Sequence, residues 1–524
     1  MEVFMSAIIG VIIVLIGYIY VKLVLQPKLL RLKLQNQGIR GPPPCSILLG
    51  NIPLITQIKS QINLPSYANS CDIQVNHDWP LMLFPHLYKW QSLYGPVFTY
   101  TTGRMQMLCV TDPNVVKDIV QYSSVDLGKP SYLSKDRGPL LGQGVISSSG
   151  SFWSYQRKLI SPEFFPEKVK LEGLSGVFGL MVDATTTMLS SWEDRVSKSG
   201  GTAEIAIDED MKSLSADIIS KTAFGSSYSK GKDIFSKLRK LQKLMSKNLY
   251  VGIPFSRYMP TKTNREINRL EKEIDSMILR VVKERMGAER ETDFLQKILE
   301  GARKCGEQND VPFKMDDKSH EKLIVDNCKN IYFAGQETTA ATAAWSLMLL
   351  AVHPDWQTRA RAEALEACRD EIITADSLRH MKVLTMIIQE TLRLYPPAVF
   401  SVRTALQDAS LKDIRVPKGL DIQVPIAMLH QNPDLWGADA KEFHPERFAN
   451  GIAAACKVPQ AYIPFGYGAR VCLGQNFAMM ELKVILSLIL SKFSFSISPG
   501  YQHSPAFRLV IDPEHGIKLL LSRA

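Results

Sequence analysis

The chain lacks the cysteine spacing of a zinc site and that of a disulfide-stapled secreted domain. Its eight cysteines are scattered over 524 residues, and no two of them form a Cys-x-x-Cys pair. Structural zinc sites usually need such pairs, and disulfide scaffolds are short and dense in cysteine. The absence excludes both kinds of small cysteine-dependent domain and favours a reduced, cytosol-facing globular domain.

Long runs of Lys and Arg, internal repeats and low-complexity segments are also missing. The net charge is nevertheless +10 and the isoelectric point is near 9.0. A basic balance suits nucleic acid, an anionic membrane surface or an acidic protein partner. Because neither a basic run nor a zinc-finger spacing is present, we predict no nucleic-acid partner and favour a membrane and an acidic protein.

Charged residues are absent from one long stretch, Val3 to Val21, which has about the ~20 apolar residues that a spanning helix needs. Basic residues follow it and only Glu2 precedes it, so the positive-inside rule leaves the rest of the chain in the cytosol. A cleaved signal peptide is the weaker alternative, because the charge follows the apolar run. We predict a single-pass signal anchor in the endoplasmic reticulum membrane over residues 1–25, a basic segment with a proline-rich hinge over 26–50, and one domain over 51–524.

The rest of the chain is predicted to be mainly helical with small β-sheets. In chain order the pattern first predicts a strand pair (Val97–Tyr100 with Met107–Thr111), a helix from Pro113 and an irregular loop (Gln121–Gly150). It then predicts a helical region broken at glycines and prolines (Glu172–Arg303), a mobile surface loop (Cys305–Lys318) and one long helix (Glu321–Val352).

One cysteine lies in a short, glycine-punctuated loop that reads FGYGARVCLG. Cys472 is preceded by Arg470 and, seven residues upstream, by Phe465, and an apolar helical pattern follows it. A thiolate can serve as a haem ligand, and glycines such as Gly468 and Gly474 let a backbone turn sharply beside a flat macrocycle. The alternative is an ordinary buried cysteine in a turn.

Two further motifs place charged and hydroxyl side chains at helical spacing. The long helix carries AGQETT, with Glu337 and Thr338 near its centre. Glycine and threonine are poor helix formers, and such local departures are common at functional sites. Glu390 and Arg393 lie three residues apart, where opposite charges meet on a helix, and Arg447 follows in the downstream motif PERF. Taken alone, the first motif also suits a surface glutamate beside a back-bonded threonine, and the second also suits an exposed ion pair.

Together, in this order and with a Trp-x-x-x-Arg pair upstream, these motifs resemble the cytochrome P-450 superfamily of haem-thiolate monooxygenases. The resemblance implies the cytochrome P-450 fold, haem b as cofactor and Cys472 as the metal ligand. Finer similarity is to the plant clan of gibberellin- and triterpenoid-oxidising enzymes, and to its elongated-uppermost-internode family. It is carried by three stretches, QGIRGPPP from Gln37, VDNCKNIYFAG from Val325 and SKFSF from Ser491.

The resemblance also implies the role of each site residue. Cofactor contacts are assigned to Trp153, Arg157, Arg403, Phe465, Arg470 and Cys472. Oxygen activation and proton delivery are assigned to Thr338 and Glu337. A structural triad behind the cysteine loop is assigned to Glu390, Arg393 and Arg447. Substrate contacts are assigned to Phe333, Ala334, Val399, Phe400 and Val402.

The implied reaction is the hydroxylation of a hydrophobic polycyclic plant terpenoid, in one or several rounds, or its epoxidation. Dioxygen is the co-substrate, and electrons come from NADPH through a membrane-bound NADPH–cytochrome P-450 reductase, which a basic face with Arg157, Lys158 and Lys483 would meet. Three alternatives stay open: a haem-thiolate isomerase or dehydratase that uses no dioxygen, a membrane-anchored haem-binding protein without catalysis, and a receptor-like membrane protein without haem.

Overall fold

The protein is described here by a computed structural model. It describes residues 2–61, 75–122, 125–169, 176–225, 228–247, 251–286, 294–307, 317–367 and 373–524. Within these ranges the chain is mainly helical with small sheets, as the sequence predicts. Most of the predicted surface loop Cys305–Lys318 lies outside the described residues.

The helices of the N-terminal half share amphipathic or wholly apolar patterns. They are α1 (Glu2–Tyr20), α2 (Gln26–Gln35), α3 (Ile52–Ser60), α4 (Trp79–Leu83), α5 (Pro85–Tyr94), α6 (Pro113–Gln121), α7 (Ser131–Ser134), α8 (Gly138–Leu141), α9 (Gly150–Ile160), α10 (Pro166–Val169), α11 (Val177–Lys198), α12 (Ile207–Phe224) and α13 (Tyr228–Ser246).

The helices of the C-terminal half surround the longest helix of the described chain, α16. They are α14 (Lys262–Met286), α15 (Phe294–Glu307), α16 (Asp317–Val352), α17 (Pro354–Ala367), α18 (Ser377–His380), α19 (Lys382–Leu394), α20 (Ile426–His430), α21 (Pro433–Trp436), α22 (Ile452–Ala455) and α23 (Gln475–Lys492). The 36 residues of α16 span about 54 Å at the usual rise per residue, and most of its side chains are buried.

The strands form small sheets at the edges of the helical body. The largest sheet has the order β1-β2-β8-β5-β3, in which β1 and β2 are antiparallel and β2 and β8 are parallel. A second sheet has the order β4-β12-β9, and β6-β7 and β10-β11 are hairpin pairs. The strands are β1 (Val97–Thr102), β2 (Met105–Val110), β3 (Leu127–Gly128), β4 (Thr202–Ala206), β5 (Phe400–Ala405), β6 (Ala409–Leu411), β7 (Ile414–Val416), β8 (Asp421–Pro425), β9 (Phe493–Ile497), β10 (Pro505–Phe507), β11 (Ile511–Pro513) and β12 (Lys518–Arg523).

Several predicted elements are confirmed. The strand pair β1–β2 turns at Gly103, whose φ is +55°, and α6 begins at Pro113 behind the N-cap Asp112, which accepts two backbone N–H groups. The long helix is confirmed and begins four residues before the predicted Glu321.

Two predictions need correction. The stretch Gln121–Gly150 was expected to be irregular, yet it contains β3, α7 and α8. The region after Glu172 was expected to be helical, yet Thr202–Ala206 is a strand, because it pairs with β12 from the far end of the chain. The two strands, β3 and β4, are stabilised by the partner strands β5 and β12, which are distant in sequence.

The N-terminal helix continues through the predicted anchor. The π-helical segment Val21–Leu25 joins α1 to α2, so that one apolar helical span of 32 residues covers Phe4–Gln35, with none of its most apolar window buried in the protein. The proline-rich hinge that follows is packed against the body. Arg31 donates to the carbonyls of Gly41 and Pro42, at 2.9 Å each, and a Cβ on Gly41 would collide with the Thr99 carbonyl.

Candidate active site

The cysteine loop is a tight, internally bonded turn. The Cys472 N–H donates to the Phe465 carbonyl at 2.8 Å, and the Val471 N–H donates to the Gly468 carbonyl at 3.0 Å. Gly466 and Gly468 have φ values of +72° and +59°, which favour glycine. Gly474, by contrast, has an ordinary negative φ at the start of α23, so its expected role in turning the chain is instead filled by Gly466.

The loop presents Cys472 to an enclosed cavity. This cavity has a volume of about 320 Å³ and lies between the cysteine loop, α16 and β5. The Cys472 side chain is open to the cavity while the surrounding protein keeps it from bulk water. This burial raises the pKa of the thiol, and a hydrogen bond from the Gly474 backbone and the nearby Arg157 partly oppose the shift.

Four cationic side chains line one side of the same cavity: Lys129, Arg157, Arg403 and Arg470. Burial and the neighbouring guanidinium groups of Arg403 and Arg157 lower the pKa of Arg470 to about 9. Burial, together with Arg403 and Arg470, lowers the pKa of the Lys129 ammonium well below its usual value. Within the described ranges none of the four has a carboxylate in ion-pairing distance, so this group of cations calls for an anionic ligand.

Aromatic rings hold these cations in place. The Arg470 guanidinium stacks 4.0 Å above the Trp153 ring and donates to the Ser148 carbonyl at 3.0 Å. The Arg403 guanidinium lies 4.7 Å from the Tyr467 ring centre. Trp153 and Arg157 share one face of α9, as their spacing predicts. Each of the predicted cofactor contacts therefore lies in the cavity wall.

The residues present fit a haem. A thiolate donor at Cys472 suits the iron, apolar walls suit the flat ring, and unpaired cations suit its two propionates. Lys129 was not found by the sequence reasoning, because a lysine in a predicted loop gives no signal of its own. Its place beside Arg403 and Arg470 depends on the pairing of β3 with β5.

The predicted oxygen motif splits across two faces of α16. Thr338 lines the cavity, and its hydroxyl donates to the Ala334 carbonyl one turn earlier at 2.7 Å, as expected for a back-bonded threonine. Glu337 does not line the cavity. Its carboxyl group is buried near Lys212, and burial raises its pKa, while Lys212 and a hydrogen bond from Gln242 oppose the shift.

Lys212 links Glu337 to a second carboxylate. Its ammonium lies 2.8 Å from Asp512 in a largely buried pair. The assignment of Glu337 to proton delivery stays a prediction, and the structure adds that this carboxyl group lies where the Lys212 ammonium of α12 favours its charged form.

The predicted triad is present as a geometric unit. Arg393 binds Glu390 through two nitrogens at 2.7 Å each, and both side chains are fully buried. Arg447 approaches the same carboxylate at 3.4 Å and also pairs with Asp439. The remaining Arg393 donors bind backbone carbonyls at His430, Ala440 and Glu442, which lie on the approach to the cysteine loop.

The assignment of substrate contacts stays a prediction. Of the five predicted residues, Ala334 and Phe400 line the cavity, whereas Phe333, Val399 and Val402 do not. Val402 is buried next to the cavity-lining Ser401 and Arg403. Val399 packs in the core, and Phe333 lies on α16 a hundred degrees around from Ala334.

Other apolar and small residues complete the wall. Those that the sequence reasoning did not identify include Val145, Ile146, Phe164, Ile219, Leu392 and Ala398. They come from segments far apart in the chain. Of the three candidate basic contacts, Arg157 faces the cavity and Lys483 donates to the Leu378 carbonyl at 2.8 Å, which leaves Lys158 as the exposed one.

The family model "Cytochrome P450" matches residues 66–521 of the chain. The chain belongs to the cytochrome P-450 family. Its fold is that of the family: the solved structure of a retinoic acid bound cyanobacterial cytochrome, CYP120A1, covers 83% of this chain and 94% of its own, with a TM-score of 0.69. At 22% identity this likeness concerns the fold alone.

Plant relatives resemble this cytochrome P-450 over nearly its full length. It is 50% identical over 515 residues to cytochrome P-450 714C2 of Oryza sativa subsp. japonica, a match that covers 97% of this chain and 96% of the relative. It is 43% identical over 516 residues to cytochrome P-450 714A2 of Arabidopsis thaliana, covering 96% and 95%. These matches make it a plant cytochrome P-450 of the 714 family.

Family membership decides the reaction class. The protein is a haem-thiolate monooxygenase that uses dioxygen and electrons supplied by a reductase. It is neither the receptor-like protein without haem nor the haem protein without catalysis that the sequence left open, and the isomerase or dehydratase alternative also gives way. The N-terminal apolar helix is consistent with a membrane anchor.

Proposed function

We propose that this cytochrome P-450 hydroxylates a polycyclic plant terpenoid, such as a pentacyclic triterpenoid or a gibberellin-type diterpenoid. The observation that carries the proposal is the cavity of about 320 Å³ that Cys472 and Thr338 both line, whose other walls are mostly apolar. A rigid hydrocarbon loses little conformational freedom on entering such a cavity, and it offers the apolar surface that these walls bury. Similarity to the 714 family along the whole chain supports the same class.

The haem supplies the reductive activation of dioxygen, after which one oxygen atom enters a C–H bond of the substrate and the other leaves as water. We assign the thiolate ligand to Cys472, which Phe465 shields, and the propionate contacts to Trp153, Arg403 and Arg470, together with the cations that line the cavity beside them (Lys129 and Arg157).

We assign to the Thr338 hydroxyl, which lines the cavity, the role of holding a proton there, and to Glu337, which precedes it on α16, the role of supplying protons toward it. Ala334 and Phe400 contact the substrate. Repeated rounds at one carbon give an aldehyde or an acid, and a double bond in the same position is epoxidised instead.

The electron donor that we propose is NADPH–cytochrome P-450 reductase, in the membrane of the endoplasmic reticulum. The division of the chain supports this arrangement, with an anchor over residues 1–25, a basic segment and hinge over 26–50 and a cytosolic catalytic domain over 51–524. Lys158, next to Arg157 on α9, is an exposed cation available to an acidic flavin domain.

The test is co-expression with a plant reductase in yeast. Microsomes are fed gibberellin precursors and pentacyclic triterpenoid acids, and products are read by mass spectrometry. We expect a product heavier by one oxygen atom with one of the two classes, dependent on NADPH and on dioxygen. Cys472→Ala is expected to abolish both the carbon-monoxide spectrum and the product.

Cys456→Ala is the matched control, because Cys456 is also partly enclosed and bonds only to the Val458 carbonyl, at 3.2 Å. It is expected to leave spectrum and product unchanged. Oxidation of a flexible fatty acid, with both terpenoid classes untouched, would refute the substrate class. Product formation without NADPH would refute the monooxygenase reaction itself.

A further inference from the structure

A run of polar side chains lies buried on α16, upstream of the oxygen motif. Asp326 and Asn327 are 1% exposed and Asn330 is fully buried. Burying polar groups is costly unless each is hydrogen-bonded. Their spacing of one, three and four residues places them on one side of the helix, so their partners lie on one neighbouring segment.

That segment is the turn after α8, and each of the three side chains accepts one backbone N–H from it. The Gln143 N–H donates to Asp326 at 2.7 Å. The Val145 N–H donates to Asn327 at 3.0 Å, and the Ile146 N–H donates to Asn330 at 2.9 Å. These polar side chains therefore replace the secondary-structure partners that an irregular backbone lacks.

The amide nitrogens of the two asparagines extend the same contact. Asn330 donates to the Leu141 carbonyl at 2.7 Å. Asn327 donates to Gln156 of α9 at 2.7 Å, and Gln156 in turn donates to the Gln143 carbonyl at 3.1 Å. The turn is thus held from α16 and from α9 at once.

Two glycines of the turn make room for this contact. A Cβ on Gly142 would lie 2.0 Å from the Asp326 carboxyl carbon, and a Cβ on Gly144 would lie 2.6 Å from the Asn330 amide. Gly142 also has a φ of +51°. The turn and the polar side chains are therefore fitted to each other, and neither tolerates a larger neighbour.

The turn leads directly into the cavity wall. Val145 and Ile146 line the cavity, opposite Thr338 and Ala334 of the same α16. Two residues further on, the Ser148 carbonyl accepts the hydrogen bond from Arg470 of the cysteine loop. The backbone bonds at Val145 and Ile146 consequently fix the distance between this wall and the oxygen motif.

We propose that Asp326, Asn327 and Asn330 are positioning residues that determine specificity. By holding the backbone of residues 143–146 on α16, they set how far Val145 and Ile146 project into the cavity and hence which large ligands fit there. Asp326 and Asn327 do not line the cavity, so their effect on a ligand is transmitted through this backbone, whereas Asn330 also lines the cavity itself. The inference is independent of the identity of the terpenoid.

The test compares a small and a large azole on the haem-containing full chain. Imidazole and clotrimazole both bind at the iron and shift its Soret band, but only clotrimazole is large enough to reach the Val145–Ile146 wall. Asn327→Ala leaves the Val145 N–H and the Gln156 side-chain oxygen without their partner and removes no atom from the cavity wall, so we expect clotrimazole binding to weaken about tenfold while imidazole binding stays within about twofold.

Three further variants make the result decisive. Ile146→Ala alters the wall directly and is expected to change the clotrimazole-to-imidazole ratio of Kd values. Asn327→Asp keeps the acceptor for Val145 and loses only the donor to Gln156 and to the Leu323 carbonyl, so it carries the test with a smaller shift if Asn327→Ala does not bind haem. Gln336→Ala removes another buried amide of α16, one that faces Lys212, and is expected to leave the ratio unchanged.

An equal loss of affinity for both azoles in the Asn327 variants would indicate a general structural role and overturn the proposal. So would an unchanged ratio in these variants when Ile146→Ala changes it. A Gln336→Ala protein with the same shift as Asn327→Ala would likewise contradict it, because that effect would belong to α16 as a whole.

Discussion

Two threonines one turn apart on α16 line the same cavity and make the same kind of bond. The Thr338 hydroxyl donates to the Ala334 carbonyl at 2.7 Å, and the Thr342 hydroxyl donates to the Thr338 carbonyl at 2.8 Å. The geometry of these bonds alone therefore does not distinguish Thr338 from Thr342. The family resemblance assigns the proton-holding role to Thr338, and the preceding Glu337 is a buried carboxyl group on another face of α16 whose pKa is raised by burial.

We predict that Thr338→Ala retains the carbon-monoxide spectrum but diverts electrons into hydrogen peroxide, because protons no longer reach the oxygen in time. The measurement is the ratio of peroxide and product formed to NADPH consumed, and we expect coupling to fall about tenfold or more, in the range lost with a proton-transfer group.

Thr342→Ala is the matched control for this prediction, since it removes an equivalent hydroxyl and an equivalent back-bond. It should stay close to the parent enzyme in coupling. If both variants uncouple equally, the special role of Thr338 is wrong.

At the scale of elements, the triad joins α19 to the segment that delivers the cysteine loop. Glu390 and Arg393 are fixed on the buried face of α19, and Arg393 reaches the backbone at His430, Ala440 and Glu442. Glu390 also accepts the His444 N–H at 2.8 Å. One carboxylate therefore holds two guanidinium groups and one backbone amide, and the loop with Cys472 is built on this arrangement.

We predict that Glu390→Gln destabilises the protein by about 3–5 kcal/mol and lowers its haem content, because it leaves buried guanidinium charge without a counter-ion. The measurements are the free energy of unfolding in urea and the haem bound per polypeptide.

Glu446→Gln tests the same chemical change in an exposed ion pair. Glu446 lies 2.9 Å from Arg359, and both side chains are about half exposed. Such a pair contributes about 0–1 kcal/mol, so this variant should keep its haem and nearly all of its stability. Full haem occupancy in Glu390→Gln would contradict the role of the triad.

For the whole molecule, the N-terminal span and the catalytic body meet within the predicted basic segment, residues 26–50. The most apolar part of the span makes no buried contact, whereas Leu34, at the end of α2, is fully buried in a cluster with residues of β2 and β8. The basic segment is therefore part of the folded body as well as the link to the membrane.

We predict that deletion of residues 2–25 releases a haem-containing protein from the membrane fraction with its thermal midpoint unchanged. Deletion of residues 2–44 also removes Leu34 and the Arg31 bonds to the hinge, and it should cost about 2–4 kcal/mol of stability. Fractionation of yeast membranes and thermal unfolding followed at the Soret band measure the two effects. Equal stability of the two truncated proteins would show that the hinge is only a spacer.

Local patterns in the sequence were sufficient to predict the elements that residues close together in the chain determine. The period of the apolar residues predicted α16, the alternation around Gly103 predicted β1 and β2, and the glycines around Cys472 predicted a tight loop. The missed elements, β3 and β4, are short strands whose partners lie hundreds of residues away, and no local pattern encodes such a pairing.

The sequence by itself determined the chemistry of this protein, because a thiol in a glycine-rich loop, an acid–alcohol pair and the ion pair of Glu390 with Arg393 each depend on residue type and spacing within one segment. Only the tertiary structure decided which side chains share the cavity. It brought Lys129 to Arg403 and Arg470, turned Phe333, Val399 and Val402 away from it, and joined Asn330 to Ile146. Such juxtapositions arise from the packing of helices and strands distant in the chain, and the free energy of that packing is shared among contacts that no single segment contains.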